Sequence, residues 1–210
     1  MNTTYDLFGE TTTVQIKNRN DEFKIKGLNY IPDFVSQTEH DFLLREIDKQ
    51  PWLNELKRRV QHYGYKYDYK FHRINHSMRI AELPDWLQNF AERLKQKGFF
   101  TETPDQVIVN EYTPGQGITN HIDCPPCFSD TVASLSLGSQ CVMNFTNKDD
   151  KDEIVPYLLD VRSIVVLKED ARYCWMHGIK LAKTDNYFGT KIQRGRRVSL
   201  TFRKVILDDE

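Results

Sequence analysis

The stretch QVIVNEYTPGQGITNHID, residues 106–123, contains the features on which the fold and function of this chain depend. It opens with a short run rich in Val, Ile and Tyr, which favours a β-strand, and continues through a Pro-Gly turn. It ends with His121 and Asp123. In an extended strand, residues i and i+2 project to the same side, so an imidazole and a carboxylate would face the same space. The pattern is compatible with a metal site, although a lone H-x-D also occurs by chance.

Six further segments downstream share the features of short β-strands. They are rich in Val, Ile, Leu and aromatic residues and are separated by clusters of Gly, Pro, Asn and Asp. The segments are VASLSLGS, CVMNF, EIVPYLL, SIVVLK, YCWMHGI and RRVSLTFRK. A run of short strands at close spacing is typical of a β-sandwich or barrel.

Two amphipathic helices are predicted before these strands. The first follows Ser36, where Glu39 is placed to complete a capping box and Pro51 to end the helix. The second, LPDWLQNFAERLKQKG, has one apolar stripe and closes at Gly98. The order of elements therefore predicts an α+β, mainly β fold, in which N-terminal helices pack on the strands.

Length and composition are those of one globular domain. The chain has 210 residues, of which 39% are hydrophobic and 28% charged, and its net charge is −1. We expect a single domain over residues 1–210, with its core at about residues 20–206. No apolar run is long enough for a membrane span and no signal peptide is evident, so we expect a cytoplasmic protein with no membrane partner. We also expect a monomer.

One basic and aromatic island, Lys57–Arg73, interrupts this near-neutral composition. It holds six Lys or Arg, one Asp and five aromatic residues. An antiparallel hairpin would place alternating tyrosines on a core and lysines in water. A nucleic-acid surface would contact phosphates through Lys or Arg and stack bases on the rings. Both interpretations stay open, and the second predicts substrate-binding roles for Arg58, Arg59, Tyr63, Tyr65 and Tyr67.

A second histidine, His177 in YCWMHGI, completes a set with His121 and Asp123. A histidine in such an apolar segment also fits an ordinary core position. Two His and one carboxylate, however, form the facial triad that binds non-haem Fe(II) and leaves positions open for substrate and oxygen. We therefore predict that His121, Asp123 and His177 are metal ligands and catalytic residues.

The C-terminal segment RGRRVSLTFRK alternates between apolar and polar residues. Val198, Leu200 and Phe202 would face one side of a strand, while Arg197 and Arg203 would face the other. Guanidinium groups bind carboxylates through paired hydrogen bonds, so two arginines on one face favour a small dicarboxylic co-substrate. A surface strand with its charges in water is the alternative.

Four motifs, in this order, resemble the AlkB family of Fe(II)- and 2-oxoglutarate-dependent dioxygenases. They are N-x-Y-x-P-G-x-x-I-x-x-H-x-D from Asn110, SLSLG from Ser134, HGI from His177 and R-x-S-x-T-F-R from Arg197. The resemblance runs from about residue 30 to residue 205 and implies a double-stranded β-helix, also called a jelly roll. It implies Fe(II) as the metal, with 2-oxoglutarate and O2 as co-substrates. The residues that it assigns to 2-oxoglutarate are Asn110, Tyr112, Arg197, Ser199 and Arg203.

Within this family the chain looks most like the branch that hydroxylates a modified wobble uridine in tRNA. Pro125 stands where N-alkyl repair members have an acidic residue that reads the damaged base, which disfavours a repair function. The resemblance implies RNA or tRNA as the partner and a substrate lid at residues 55–80. Three alternatives stay open: oxidation of a protein side chain, demethylation of N-alkylated DNA or RNA, and a non-catalytic nucleic-acid-binding module.

Cys124 and Cys127 form a C-x-x-C pair directly after the H-x-D motif. This spacing is that of half a zinc site or of a redox pair. No second C-x-x-C is present, and the four cysteines show no pattern of a disulfide framework. We therefore expect a plain loop beside the active site.

Overall fold

The computed structural model describes residues 2–5, 11–14, 16–68 and 70–207. Three α-helices are present in these ranges: α1 (Gln37–Asp48), α2 (Asp85–Gln96) and α3 (Glu169–Tyr173). Short 3₁₀ turns lie at Asn20–Glu22 and His76–Met78. The strands are β1 (Asn2–Tyr5), β2 (Thr11–Val14), β3 (Leu28–Ile31), β4 (Val60–Tyr63), β5 (Gln106–Tyr112), β6 (Ile118–His121), β7 (Phe128–Leu137), β8 (Cys141–Asn147), β9 (Ile154–Leu159), β10 (Ile164–Leu167), β11 (Trp175–Ile179), β12 (Thr184–Tyr187), β13 (Thr190–Gln193) and β14 (Arg197–Val205). Within the described ranges, no helix is long and apolar enough to span a membrane.

A larger sheet of six strands carries the helices on one face. Its order is β3-β10-β7-β14-β5-β4, and the central strand β14 pairs antiparallel with β5 and β7. Apolar residues of β5, β7, β10 and β14 alternate along their strands and bury one sheet face against α1 and α2. Leu43 and Ile47 of α1 and Leu87 of α2 are fully buried in this contact. The apolar face of each helix and the apolar face of the sheet therefore form one core.

A smaller sheet covers the other face of the larger one. Its order is β6-β11-β8-β9, while β1-β2 and β12-β13 form separate two-stranded sheets. Residues of the six-stranded and the four-stranded sheet form one apolar cluster. In this cluster, Val165 and Leu167 of β10 pack with Phe145 and Trp175 of the smaller sheet. Two facing antiparallel sheets with helices outside are the predicted jelly roll, and the predicted mainly β fold class is confirmed.

The first helix begins as its sequence predicts. The Ser36 side chain accepts a hydrogen bond from the Glu39 backbone N–H, and the Glu39 carboxylate accepts one from the Ser36 backbone N–H, which completes the capping box. Glu39 also forms an ion pair with Arg93 of α2. Beyond α2, Gly98 has a φ of +76°, in the left-handed region that favours glycine at a helix end.

The structure corrects one predicted strand and one of the two interpretations of the island. The segment YCWMHGI is a strand only from Trp175, because Tyr173 is the last residue of α3. The island Lys57–Arg73 is not a hairpin: β4 is its one regular strand among the described residues, and it pairs with β5. The free edge of β5 supplies backbone partners for β4, which explains this pairing. Tyr69 of the island lies outside the described residues.

Candidate active site

The His-Asp-His set is assembled by the pairing of β6 with β11. His121 at the end of β6 lies directly opposite His177 of β11, and the two ring centroids are 4.4 Å apart. Gly178 permits this approach, because a Cβ at that position would lie 2.2 Å from the Asn120 side chain. Asp123 follows two residues beyond β6, and its Oδ2 lies 3.4 Å from His177 Nε2. One ligand atom from each of the three residues lies within 4.8 Å of the others, which could hold one metal ion.

The electrostatics of the cluster favour the protonation states that bind metals. Burial raises the pKa of Asp123, but the surrounding positive charge, chiefly that of the Arg203 guanidinium, outweighs burial and holds that pKa well below its usual range. Burial and the neighbouring His121 lower the pKa of His177 to about 3. The carboxylate is therefore charged and the His177 imidazole neutral at pH 7, as metal ligation requires. The chemistry of this donor set fits a non-haem iron site.

Two buried arginines face the same space as the cluster. Arg197 donates to Ser136 Oγ at 2.8 Å, and its Nε has no hydrogen-bond partner among the described residues. Arg203 donates to Asp123 and to Gln106, and its Nε likewise lacks a partner in the described part of the chain. Burying a guanidinium without a counter-ion is unfavourable. Arg197, which pairs with no described carboxylate, therefore fits an anionic ligand.

The metal-ligating residues and the two arginines line one cavity of about 310 Å³ between the two sheets. The predicted 2-oxoglutarate residues Asn110, Tyr112, Arg197, Ser199 and Arg203 all line it, as do His121, Asp123 and His177. The remaining wall is largely apolar and includes Ile108, Phe128, Val132, Met143, Val165 and Leu167. One compartment therefore combines three metal-ligating side chains, two guanidinium groups and an apolar lining.

Arg58 and Tyr67 of the island also line this cavity. Arg58 donates from Nε to Asn110 Oδ1 at 2.8 Å, and the guanidinium groups of Arg58 and Arg197 each lie 5.5 Å from the Tyr112 ring centroid. The Tyr67 ring packs against Phe128, with ring centroids 5.6 Å apart. These two predicted substrate residues thus form part of the cavity wall.

Arg59 and Tyr63 lie elsewhere, and their placement does not support the predicted substrate contacts. Arg59 forms an ion pair with Glu111, whose side chain is on the opposite face of β5 from Asn110. Tyr63 packs edge-on against Trp86 of α2 on the helix face of the sheet. Strand alternation sends neighbouring residues to opposite faces, which explains both displacements. Tyr65 is half-buried beside the Tyr67 cluster and does not line the cavity.

The structure also brings to the site residues that the sequence did not single out. Ser136 accepts a hydrogen bond from Arg197. His72 lines the cavity, and its Nδ1 lies 3.0 Å from the Tyr67 hydroxyl. The alternation in SLSLG could have indicated Ser136, because a polar residue on a buried strand face needs a partner. No sequence pattern indicates His72, which lies in an irregular loop.

Cys124 and Cys127 form a disulfide beside the cluster. The loop expected here therefore carries a disulfide, which agrees with the alternative of a redox pair. Both sulfur atoms also lie near the backbone oxygen of His72, at 3.3 and 3.2 Å. The structure does not support a zinc site at the pair, because both sulfur atoms are in the disulfide and neither is a thiolate. Cys141 and Cys174 are free.

Between two sheets, the structure combines a candidate metal cluster with two buried guanidinium groups, an arrangement typical of a metal-dependent enzyme with an anionic co-substrate. Comparison with known proteins agrees: the family described as the 2OG-Fe(II) oxygenase superfamily matches residues 27–203. The chain belongs to this superfamily, and the AlkB-like resemblance is confirmed. It is therefore an oxidoreductase of the dioxygenase class, and the family implies Fe(II) and 2-oxoglutarate as cofactor and co-substrate.

Individual relatives give the same picture. The tRNA (carboxymethyluridine(34)-5-O)-methyltransferase ALKBH8 of Macaca fascicularis is 36% identical over 203 residues, which cover 85% of this chain and 30% of that protein. The probable RNA/DNA demethylase ALKBH6 of Danio rerio is 30% identical, with 84% of each chain covered. This chain thus spans less than a third of the macaque protein. The solved structure of OsALKBH1 matches with a TM-score of 0.66 at 17% identity, over 87% of this chain and 98% of that one, and it supports the fold alone.

Proposed function

We propose that this chain is an Fe(II)- and 2-oxoglutarate-dependent dioxygenase that oxidises a modified nucleoside of RNA, in particular of tRNA, by hydroxylation or oxidative demethylation. Consumption of O2 and 2-oxoglutarate would release succinate and CO2. One observation carries the proposal: a single cavity presents the His-Asp-His cluster together with two buried guanidinium groups. The relatives support the substrate class, because their names refer to tRNA and to RNA or DNA.

In this proposal the metal is bound by His121, Asp123 and His177. A non-haem iron held there, with its co-substrate, would supply the oxidising chemistry that amino-acid side chains lack. The protein contributes orientation. Arg203 donates to the Asp123 carboxylate and so directs it toward His177, while the pairing of β6 with β11 holds the two imidazoles side by side, with their ring planes tilted by 51°.

Arg197 and Arg203 would bind the two carboxylates of 2-oxoglutarate, with Asn110, Tyr112 and Ser199 beside them. The buried Arg197 provides a charge that only an anion can neutralise at this position. The apolar wall around Met143 and Leu167 would exclude water from the reacting centre.

The substrate surface would be the island, centred on Arg58 and Tyr67. Arg58 would provide a cation for a phosphate, and Tyr67 would provide an aromatic ring in the cavity wall. Tyr65 flanks them, whereas Arg59 and Tyr63 have no place in this surface. We further propose that residues 55–80 act as the substrate lid, that residues 20–206 form the core of one domain, and that the enzyme acts as a cytoplasmic monomer.

The first test is turnover of the co-substrate. Purified protein with Fe(II), ascorbate and 2-oxoglutarate should form succinate, and His121→Ala or Arg203→Ala should abolish it. Equal background from the wild type and both variants would show that the enzyme proposal is wrong.

The second test addresses the substrate. Mass spectrometry of nucleosides from tRNA should reveal an oxidised product after incubation, whereas methylated DNA oligonucleotides should be unchanged. Arg58→Ala should slow this reaction about tenfold or more, while the matched Arg59→Ala should retain it, because only Arg58 lines the cavity. A reaction on methylated oligonucleotides alone would favour a repair demethylase. No nucleoside product in either sample would favour a protein side chain.

A further inference from the structure

A buried arginine outside the predicted motifs holds the segment that contains Asp123. Arg172 of α3 is only 2% exposed and is among the largest fully buried side chains. It forms no ion pair with any carboxylate in the described ranges. Its hydrogen bonds instead go to four backbone oxygens of a single segment, those of Asp123, Cys124, Phe128 and Ser129. An arginine buried in this way needs a structural reason, because removing a guanidinium from water is unfavourable.

The bonds are directed at the one metal-ligating residue that lies outside a strand. Arg172 Nη1 donates to the Asp123 oxygen at 2.7 Å, and Nη2 donates to the Phe128 oxygen at 3.3 Å. His121 and His177 are held by the β6–β11 ladder, but Asp123 lies beyond the end of β6. Buried backbone carbonyls outside a sheet require another donor. Arg172 supplies that donor for Asp123.

Arg172 also connects two ligand-bearing parts of the chain. It precedes His177 by five residues, and the same short helix leads directly into β11. Its guanidinium therefore links the segment 123–129 to the element that positions His177. Arg203 donates instead to the carboxylate of Asp123. Backbone and side chain of Asp123 are thus fixed by two different arginines.

We propose that Arg172 is a positioning residue that fixes the backbone of residues 123–129 and so aims the Asp123 carboxylate at the metal position. The proposal rests on the proposed function, because it assumes that Asp123 binds metal. Arg172 does not line the cavity, and its hydrogen bonds in the described part of the chain go to backbone oxygens rather than to metal-ligating atoms. Residues that orient a ligand in this way usually alter metal affinity about 10- to 100-fold when they are replaced.

The test is Mn(II) binding by calorimetry, combined with thermal unfolding. Arg172→Gln should remain folded and raise the Kd for Mn(II) by about 10- to 100-fold. Arg172→Lys, which keeps a cation with fewer and shorter-reaching donors, should lie between this variant and the wild type. The matched control is Arg194→Lys, because Arg194 is also buried and donates to backbone oxygens, those of Gln116, Lys180 and Ala182. It should lower the Tm without changing the Kd.

The other outcomes separate this proposal from the proposed function. Folded Arg172 variants that bind Mn(II) with the wild-type Kd would overturn the positioning role. The same conclusion follows if neither Arg172 variant folds while Arg194→Lys does, since Arg172 would then serve the fold itself. Equal Mn(II) binding by the wild type and Asp123→Ala would instead contradict the metal site, and with it the proposed function.

Discussion

The two faces of strand β14 are both buried, yet they have opposite effects on the free energy of folding. Val198, Leu200 and Phe202 pack against the helices, where their burial is favourable through the hydrophobic effect. Arg197 and Arg203 face the cavity, where burial removes charged groups from water and is unfavourable. Burial alone therefore does not distinguish a residue that stabilises the fold from one retained for a ligand. The two kinds of residue differ in the sign of the free energy of burial, which is favourable for the apolar side chains and unfavourable for the arginines.

The largest effect is expected on the cavity face. Arg197→Met should raise the KM for 2-oxoglutarate by about 100-fold, because loss of a buried charge-assisted pair typically costs about 2–5 kcal/mol. The Tm should not fall, since the arginine pairs with no described carboxylate in the absence of ligand. The KM is measured from the rate of succinate formation at increasing 2-oxoglutarate concentration, and the Tm is measured by thermal unfolding. A lower Tm with an unchanged KM would remove the distinction between the faces.

The helix face should respond in the opposite way. Leu200→Ala should lower the free energy of unfolding by about 2–5 kcal/mol, through lost transfer energy and the cavity that remains. The folded fraction should keep the wild-type KM for 2-oxoglutarate. Urea denaturation measures the change. The control Ile206→Ala, at a residue 41% exposed just beyond β14, should lose less than about 1 kcal/mol. Equal losses in the two variants would contradict this assignment of the core.

A pH dependence should appear on the cavity-side face of the sheet at His62. Burial lowers the pKa of His62 to about 4, and its strand partner Ile108 lines the cavity. Between pH 6.5 and pH 4 the unfolded chain binds a proton that the folded chain does not, so stability falls as the pH falls. We expect His62 to account for a loss on the order of 2 kcal/mol. Urea denaturation at both pH values should show a smaller loss for His62→Gln, and identical losses in the two proteins would refute the role of His62.

The smallest effect is expected at the start of α1, outside the sheet. Ser36→Ala removes the side-chain half of the capping box and should lower the free energy of unfolding by about 1 kcal/mol. Succinate formation by the folded protein should be unchanged, because α1 touches only the helix face. Ser36→Gly should lose only a few tenths of a kcal/mol. A change in the KM for 2-oxoglutarate would show that the two faces are coupled.

The regular elements were predictable because their signals are local. The capping box at Ser36 and the alternation in β14 follow from the spacing of residues a few positions apart. The alternation also predicted which residues of β14 face the cavity, before any partner strand was known. The composition of YCWMHGI does not indicate that its strand starts only at Trp175, because the turn of α3 depends on residues that precede this segment.

The island shows where local reasoning fails. Arg58 and Arg59 have the same chemistry, but β4 pairs with β5 so that Arg58 reaches Asn110 while Arg59 reaches Glu111. The sheet edge to which β4 pairs is decided by long-range contacts. A shift of the β4–β5 register by one residue would exchange the positions of Arg58 and Arg59. The disulfide between Cys124 and Cys127 depends in the same way on the path of the chain after β6.

The sequence by itself determined the helices α1 and α2, the face of β14 that carries the arginines, and the residue types of the metal and co-substrate motifs, because backbone periodicity and side-chain chemistry are local properties. Only the tertiary structure decided that β6 lies against β11, which brings His121 to His177, and that Arg172 reaches the backbone of Asp123. These contacts join residues about 50 positions apart, and their partners are chosen by the packing of whole sheets rather than by any neighbouring residue.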